Sequence, residues 1–139
     1  MPAFLDARPT RFRHWSVAAF GAWNVFVWAT RVRNIFRDED LSSGEKAAWL
    51  VPAVVFTAGG LLALVAWARG RDGFVRPLAA VAMVTILYWP VRLVLVLVGD
   101  EGAAFKAVHT VLAVVSVALA YAMGRRLVRT NLLPRAAYQ

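Results

Sequence analysis

The chain has no cysteine and only two histidines among its 139 residues. The lack of cysteine excludes disulfides, thiolate metal sites, cysteine nucleophiles and haem attached through cysteine, and two histidines are too few for an ordinary zinc site within one chain. The sequence also shows no nucleophile–base pair, no pair of carboxylates within an apolar segment and no glycine-rich phosphate loop. We therefore expect a protein that is not an enzyme and that holds neither a metal nor a cofactor.

Charge is scarce as well, because charged residues make up 17% of the chain and about 25% of a typical soluble domain. Hydrophobic residues make up 60%. In a bilayer the backbone must satisfy its own hydrogen bonds, so apolar segments of about 20 residues predict transmembrane helices. The sequence contains four such segments, at residues 14–30, 47–67, 77–98 and 105–123, and the first continues beyond Arg31. The predicted fold is all-α, a compact bundle of four transmembrane helices.

Short motifs mark the ends of these predicted spans. Ser42 and Glu45 form an S-x-x-E capping box ahead of the second span. Gly70 belongs to a tight connection between the second and third spans. The first span is followed by Arg31 and Arg33 and not by the small residues of a cleavage site, so we expect it to be retained.

The net charge of +8 is distributed unevenly along this predicted topology. Ten arginines flank the spans on one side of the membrane, where only two acidic residues oppose them. Because loops rich in Lys and Arg stay in the cytoplasm, both termini are predicted to be cytoplasmic. Residues 1–13 then form a basic cytoplasmic segment, residues 14–129 the transmembrane domain and residues 130–139 a cytoplasmic tail. This one-sided distribution accounts for the charge without a nucleic-acid partner. The ten are Arg8, Arg11, Arg13, Arg69, Arg71, Arg76, Arg125, Arg126, Arg129 and Arg135.

Arg92 is the most informative residue, because it lies within the third span. A charge at that depth costs at least a few kcal/mol unless it is paired, hydrated or able to reach the interface. Tyr88 lies one helical turn before Arg92, on the same face. Two interpretations stay open. Arg92 reaches lipid phosphate or pairs with Asp38 or Asp100, or it contacts an anion or substrate in a cavity.

His109 lies near the outer end of the fourth span, three residues after Lys106. It is either an interfacial histidine bonded to a neighbouring loop, or a proton acceptor or axial haem ligand. A haem held by two histidines would need a second copy of the chain. The face that His109 shares with Ala113 and Ser116 has small residues that allow close helix approach.

The first span carries a polar and aromatic stripe at helical spacing, formed by Gly21, Asn24, Trp28 and Arg31. We expect this stripe to face other helices, because Asn24 would seek a hydrogen-bond partner in lipid. Small residues of the second span, Gly59 and Gly60 among them, predict a helix–helix contact, either within the chain or between chains.

The first and third spans share an order of features: an aromatic region, an arginine, an acidic loop, a glycine and a lysine. This order indicates a parallel repeat of two helices. Chance similarity between apolar sequences is the alternative. A repeat would gather Arg31, Arg92, Lys106 and His109 near the outer leaflet, where they would favour an anionic ligand, a lipid head group or a partner with a carboxylate.

Three segments carry a resemblance: TRVRNIFRDED after the first span, YWPVR in the third and GAAFKAVHTVLAVVS at the start of the fourth. With them, most of the chain from about Arg11 resembles small four-span membrane proteins of actinobacteria. The resemblance implies a bacterial cytoplasmic membrane and transfers no activity. The GtrA-like flippase family also has four short spans, but its polar Asn/Arg motif is not seen in LALVAWARGRDGF.

The leading hypothesis is a non-enzymatic membrane protein that binds or transports a small anionic or amphipathic ligand in an outward-facing cavity. One alternative is a small accessory subunit of a larger membrane complex, and another is a haem- or quinone-binding membrane protein. Expected partners are membrane lipids and either further copies of the chain or a larger complex, because so small a bundle leaves little room for a private channel. The candidate ligand-binding residues are Arg92, His109, Arg31, Tyr88, Lys106, Asn24 and Trp28.

Overall fold

A computed structural model describes residues 13–70 and 72–132. Four α-helices make up almost all of this part of the chain, and it contains no strand. A short 3-10 turn, Asp72–Phe74, precedes the third helix. The all-α prediction is therefore confirmed. The helices are α1 (Trp15–Arg37), α2 (Ser43–Arg69), α3 (Val75–Val98) and α4 (Ala103–Leu132).

Each helix is longer than the apolar segment that predicted it. The difference is largest in α4, which continues to Leu132, because hydropathy detects only the apolar part of a helix that extends into polar surroundings. The capping box at the start of α2 is confirmed: Ser42 Oγ accepts from the Glu45 N–H at 3.3 Å, and Glu45 Oε2 accepts from the Ser42 N–H at 2.9 Å. Gly70 ends α2 in the left-handed conformation, with φ 63°, and its N–H donates to Ala66 O at 2.8 Å.

Three of the helices are long and apolar enough to cross a membrane. The most apolar 18-residue windows of these helices have mean hydropathies of 2.1 in α2, 2.2 in α3 and 1.9 within residues 103–129 of α4. These helices are compatible with a membrane protein. The first helix does not reach the same apolarity, because it carries Arg31, Arg33 and Arg37 near its end and buries Ser16 and Asn24 against its neighbours.

The helices pack as two close pairs, α1 with α2 and α3 with α4, and α1 also packs against α4. Two separate apolar cores follow from this arrangement. One lies at the end of the bundle that carries the α2–α3 connection and includes Phe20, Leu78 and Met123. The other lies toward the opposite end and includes Trp28 and Phe56. We call that opposite end the paired-loop end, because the α1–α2 and α3–α4 connections, residues 38–42 and 99–102, both lie there.

The small residues of α2 serve contacts within the chain. A Cβ atom at Gly60 would lie 2.9 Å from Asn24 Cβ, and one at Gly59 would lie 2.7 Å from Val81 Cγ1. Real Cβ atoms essentially never approach heavy atoms that closely. The two glycines therefore bring α2 against α1 on one side and against α3 on the other. The helix–helix contact predicted from these small residues thus lies within the chain.

Candidate functional site: a basic and aromatic cavity at the paired-loop end

A cavity of about 510 Å³ lies at the paired-loop end, between all four helices. This volume is within the range of about 300–1,000 Å³ that small-molecule sites usually have. Most of its wall comes from α1 and α4, whereas α2 contributes one side chain, Trp49. The lining residues are Phe26, Val27, Trp28, Thr30, Arg31, Asn34, Trp49, Tyr88, Trp89, Arg92, Ala104, Phe105, Val108, His109 and Leu112.

Two arginines converge on one tryptophan in this wall. Arg92 Cζ lies 4.9 Å from the centre of the Trp49 ring, and Arg31 Cζ lies 5.5 Å from it. Since both distances end on the same side chain, the two guanidinium carbons are at most about 10 Å apart, which is roughly one screening length in physiological salt. Arg31 comes from α1 and Arg92 from α3, so helices from both pairs supply the positive charge.

Neither arginine is neutralised by an acidic side chain of the described residues. No ion pair involves Arg31 or Arg92 there, and Asp38 instead accepts a hydrogen bond from the backbone N–H of Asp40, at 3.1 Å. The pairing of Arg92 with Asp38 or Asp100, one of the interpretations that the sequence left open, is therefore not formed among the described residues. A ring face attracts a guanidinium by about 0.5–2 kcal/mol but leaves its charge in place. The cavity wall thus carries two positive charges.

The side of the cavity that faces into the bundle is aromatic. Trp28 stacks on Phe56, with ring centroids 4.7 Å apart and planes 13° apart. Tyr88 packs on both rings, at 5.7 Å from Trp28 and 5.0 Å from Phe56, and Trp89 lies 5.9 Å from Trp28. Trp28, Phe56 and Trp89 are almost fully buried. This rigid cluster joins α1, α2 and α3 and gives the cavity an apolar wall.

Trp89 also leaves a polar group unsatisfied. Its indole N–H is buried and has no acceptor among the described residues, although Trp89 lines the cavity. A buried donor without a partner costs about 1–3 kcal/mol, but a ligand oxygen in the cavity would reach this N–H only if neighbouring side chains moved to expose it.

His109 lines the cavity from α4, and its side chain contacts Phe105 of the same helix. Its Nδ1 lies 3.0 Å from Phe105 O, and its ring packs on the Phe105 ring with centroids 4.0 Å apart. A carbonyl can only accept, so Nδ1 donates its proton to this bond. In residues 13–70 and 72–132, no three acidic or histidine side chains are grouped to hold a metal ion.

Five of the seven predicted site residues line this cavity: Arg31, Arg92, Trp28, Tyr88 and His109. The other two do not. Lys106 Nζ donates to Leu97 O at 2.9 Å, so it caps the free carbonyl groups at the end of α3. Asn24 is 1% exposed between α1 and α2, where its amide donates to Phe20 O at 3.0 Å and its Oδ1 has no partner in the described part of the chain.

Sequence reasoning missed two important side chains, Trp49 and Phe56. Trp49 was not among the candidate residues, although its ring contacts both Arg31 and Arg92. The signal was available, because Trp49 lies one turn after the capping box and so near the same end of the bundle as Arg31 and Arg92. Phe56 lies two turns further along α2 and carried no signal beyond its apolar character.

No protein-family model, curated protein or solved structure matches the chain. The class of protein is therefore defined by its own fold: an all-helical bundle with three helices able to cross a membrane and a basic, aromatic cavity at one end.

Proposed function

We propose that the chain is a non-enzymatic, four-span protein of a bacterial cytoplasmic membrane, and that its cavity binds a small anionic and amphipathic ligand. In this proposal α1 is the first span. Its 23 residues reach about 34 Å at 1.5 Å per residue, enough to cross a hydrocarbon core of about 30 Å. Its polar side chains Ser16 and Asn24 are buried against other helices, whereas Phe26 is exposed where lipid would lie.

The orientation follows from charge. Six described arginines lie at the end of the bundle opposite the paired loops, so this end would face the cytoplasm and the cavity would open toward the outer leaflet. They are Arg13, Arg69, Arg76, Arg125, Arg126 and Arg129. The resemblance to actinobacterial four-span proteins supports the same membrane.

The pair of arginines on Trp49 is the observation that supports an anionic ligand. Two positive charges at most about 10 Å apart repel by at least about 2 kcal/mol at an effective dielectric constant of 20, whereas an anion about 4 Å from each of them is attracted by about 4 kcal/mol to each. An anion between Arg31 and Arg92 thus outweighs their repulsion, and no carboxylate in the described ranges takes that role. The aromatic wall next to it suits an apolar portion of the same ligand.

Binding is better supported than an accessory-subunit role. The accessory-subunit hypothesis had two motives, the small residues of α2, which could contact another protein, and the absence of a strong site in the sequence. Gly59 and Gly60 are instead covered by α3 and α1 of the same chain. Transport would require the core around Phe20 and Met123 to open, because this core lies between the cavity and the opposite end of the bundle.

The test is calorimetric titration of the purified full chain, in a neutral maltoside micelle, with decyl phosphate and with uncharged decanol. The double variant Arg31→Gln/Arg92→Gln is expected to lower the affinity for decyl phosphate at least tenfold, because a hydrogen bond to a charged group contributes about 1.5–3 kcal/mol. Decanol should bind weakly to both proteins.

The matched control is Arg33→Gln/Arg37→Gln, which removes the same number of charges from exposed positions at the end of α1 outside the cavity wall. It should retain the affinity of the original chain. Equal losses in the two double variants, or equal affinities for decyl phosphate and decanol, would contradict the proposal.

A further inference from the structure

The cavity has side walls that are themselves exposed on the outside of the bundle. Phe26 on α1 and Val108 on α4 both line the cavity, yet 67% of Phe26 and 56% of Val108 is exposed. Thr30 and Ala104 line it as well and are also exposed. A side chain that lines a cavity and faces outward lies at an opening, so the cavity opens sideways between α1 and α4.

The position of the contact between α1 and α4 fixes the inner limit of this opening. Trp23 Nε1 donates to Ser116 Oγ at 2.9 Å, and Ser116 is buried. From that bond toward the paired-loop end, the lining residues of α1 fall between Phe26 and Asn34, and those of α4 fall between Ala104 and Leu112. Nine residues of helix measure about 13 Å, so the opening is a slot of about that height along the bundle axis.

We propose that this slot admits an anionic membrane lipid from the bilayer, with its phosphate between Arg31 and Arg92 and an acyl chain leaving past Phe26 and Val108. The inference rests on the proposed anion site and adds the source of the ligand and its route. Within the proposed topology the exposed rim of the slot faces the hydrocarbon core of the bilayer. Dissolved ions are excluded from this region, whereas the acyl chains of lipids fill it. The planar guanidinium groups match a phosphate, to which arginine donates two parallel hydrogen bonds.

The slot can be blocked without touching the arginines. Ala104 and Ala107 are both exposed alanines near the start of α4, but only Ala104 lines the cavity. Ala104→Trp therefore obstructs the slot, and Ala107→Trp is its matched control. On α1, Thr30 lines the cavity and Ala29 does not, and both are exposed. Thr30→Trp with Ala29→Trp as its control is therefore a second test, which replaces the first if the Ala104→Trp protein does not fold.

The experiment is native mass spectrometry of the full-length protein and these variants in neutral micelles, titrated with phosphatidylglycerol, phosphatidylcholine or glycerol 1-phosphate. We expect one saturable phosphatidylglycerol adduct on the original chain and on Ala107→Trp, at least tenfold weaker binding on Ala104→Trp, and no comparable phosphatidylcholine adduct. The Thr30→Trp and Ala29→Trp pair should repeat the contrast.

Other outcomes separate this inference from the proposed function. If glycerol 1-phosphate binds as tightly as phosphatidylglycerol and Ala104→Trp changes neither, the ligand comes from water and the slot proposal is overturned while the anion site stands. Equal binding of phosphatidylglycerol to Ala104→Trp and Ala107→Trp overturns it too. If neither phosphatidylglycerol nor decyl phosphate binds the original chain, the anion site itself is wrong.

Discussion

Gly21 and Gly60 face each other across α1 and α2 with their backbones in close approach. A Cβ atom at Gly21 would lie 2.9 Å from Gly60 O, and a Cβ atom at Gly60 would lie 2.9 Å from Gly21 O. Both neighbours are backbone atoms and cannot move aside as a flexible side chain could. The contact lets Asn24 and Trp28, further along α1, pack against α2, and it therefore sets the position of the aromatic wall.

Gly60→Ala is expected to lower the free energy of unfolding by about 1–3 kcal/mol, because overpacking a tight contact forces the helices apart. Chemical unfolding in detergent, followed by circular dichroism, measures this change. Gly44→Ala is the control, because a Cβ atom there meets nothing within 4 Å. That variant should be neutral or slightly stabilising, since alanine favours a helix over glycine by about 1 kcal/mol. Two variants of equal stability would contradict the close approach.

Trp49 is predicted to couple energetically to Arg92. In a double-mutant cycle of Trp49→Leu and Arg92→Gln, we expect a coupling free energy of unfolding of about 0.5–1 kcal/mol, the usual strength of a partly exposed cation–π contact. The cycle separates this contact from the apolar area that Trp49→Leu also loses. The control cycle combines Trp49→Leu with Arg33→Gln, an exposed arginine outside the cavity wall, and should show no coupling. Similar coupling free energies in both cycles would contradict a specific cation–π contact between Arg92 and the Trp49 ring.

Trp89→Phe tests whether a bound ligand reaches the buried indole N–H of Trp89, which the cavity does not expose without a movement of neighbouring side chains. Trp89→Phe removes a buried N–H that has no acceptor in the described part of the chain, so the free protein should change by about 1 kcal/mol or less. If a ligand oxygen accepts from this N–H, the affinity for decyl phosphate should fall about tenfold, equivalent to about 1.4 kcal/mol. Titration calorimetry measures the affinity. Trp67→Phe, at an exposed position of α2 outside the cavity wall, should leave it unchanged. An unchanged affinity in Trp89→Phe would show that the ligand does not use this donor.

Local patterns in the sequence were sufficient for the four helices and for the ends of α2, whereas the predicted fourth span stopped at residue 123 and α4 continues to Leu132. The capping box of Ser42 and Glu45 depends on residues three apart, and the tight connection at Gly70 depends on the chain around it, so neither needed tertiary contacts to be predicted. Arg92 could be singled out because a charge in an apolar segment is costly anywhere in the bundle. Its partner depended on tertiary packing: among the described residues Arg92 contacts an aromatic ring on another helix, an alternative that the sequence did not raise.

The two misplaced residues show the limit of helical spacing. Asn24 and Trp28 share one face of α1, yet only Trp28 lines the cavity, because the close contact at Gly60 covers Asn24. Lys106 and His109 are three residues apart on α4, yet Lys106 reaches the last turn of α3 while His109 lines the cavity. Spacing identifies a face, and the neighbouring helices decide which part of that face stays open.

The proposed topology can be tested with single cysteines, since the chain has none of its own. Cysteines at Gly44, Gly73 and Gly102 would meet nothing within 4 Å, and Arg13, just before α1, is exposed. In intact cells, a membrane-impermeant maleimide should label Gly44→Cys and Gly102→Cys, whereas Arg13→Cys and Gly73→Cys should react only after permeabilisation. The pair Arg13 and Gly44 tests α1 directly, because labelling of both from the same side would mean that α1 does not cross the membrane. Labelling of Gly73→Cys in intact cells would reverse the orientation and turn the cavity toward the cytoplasm.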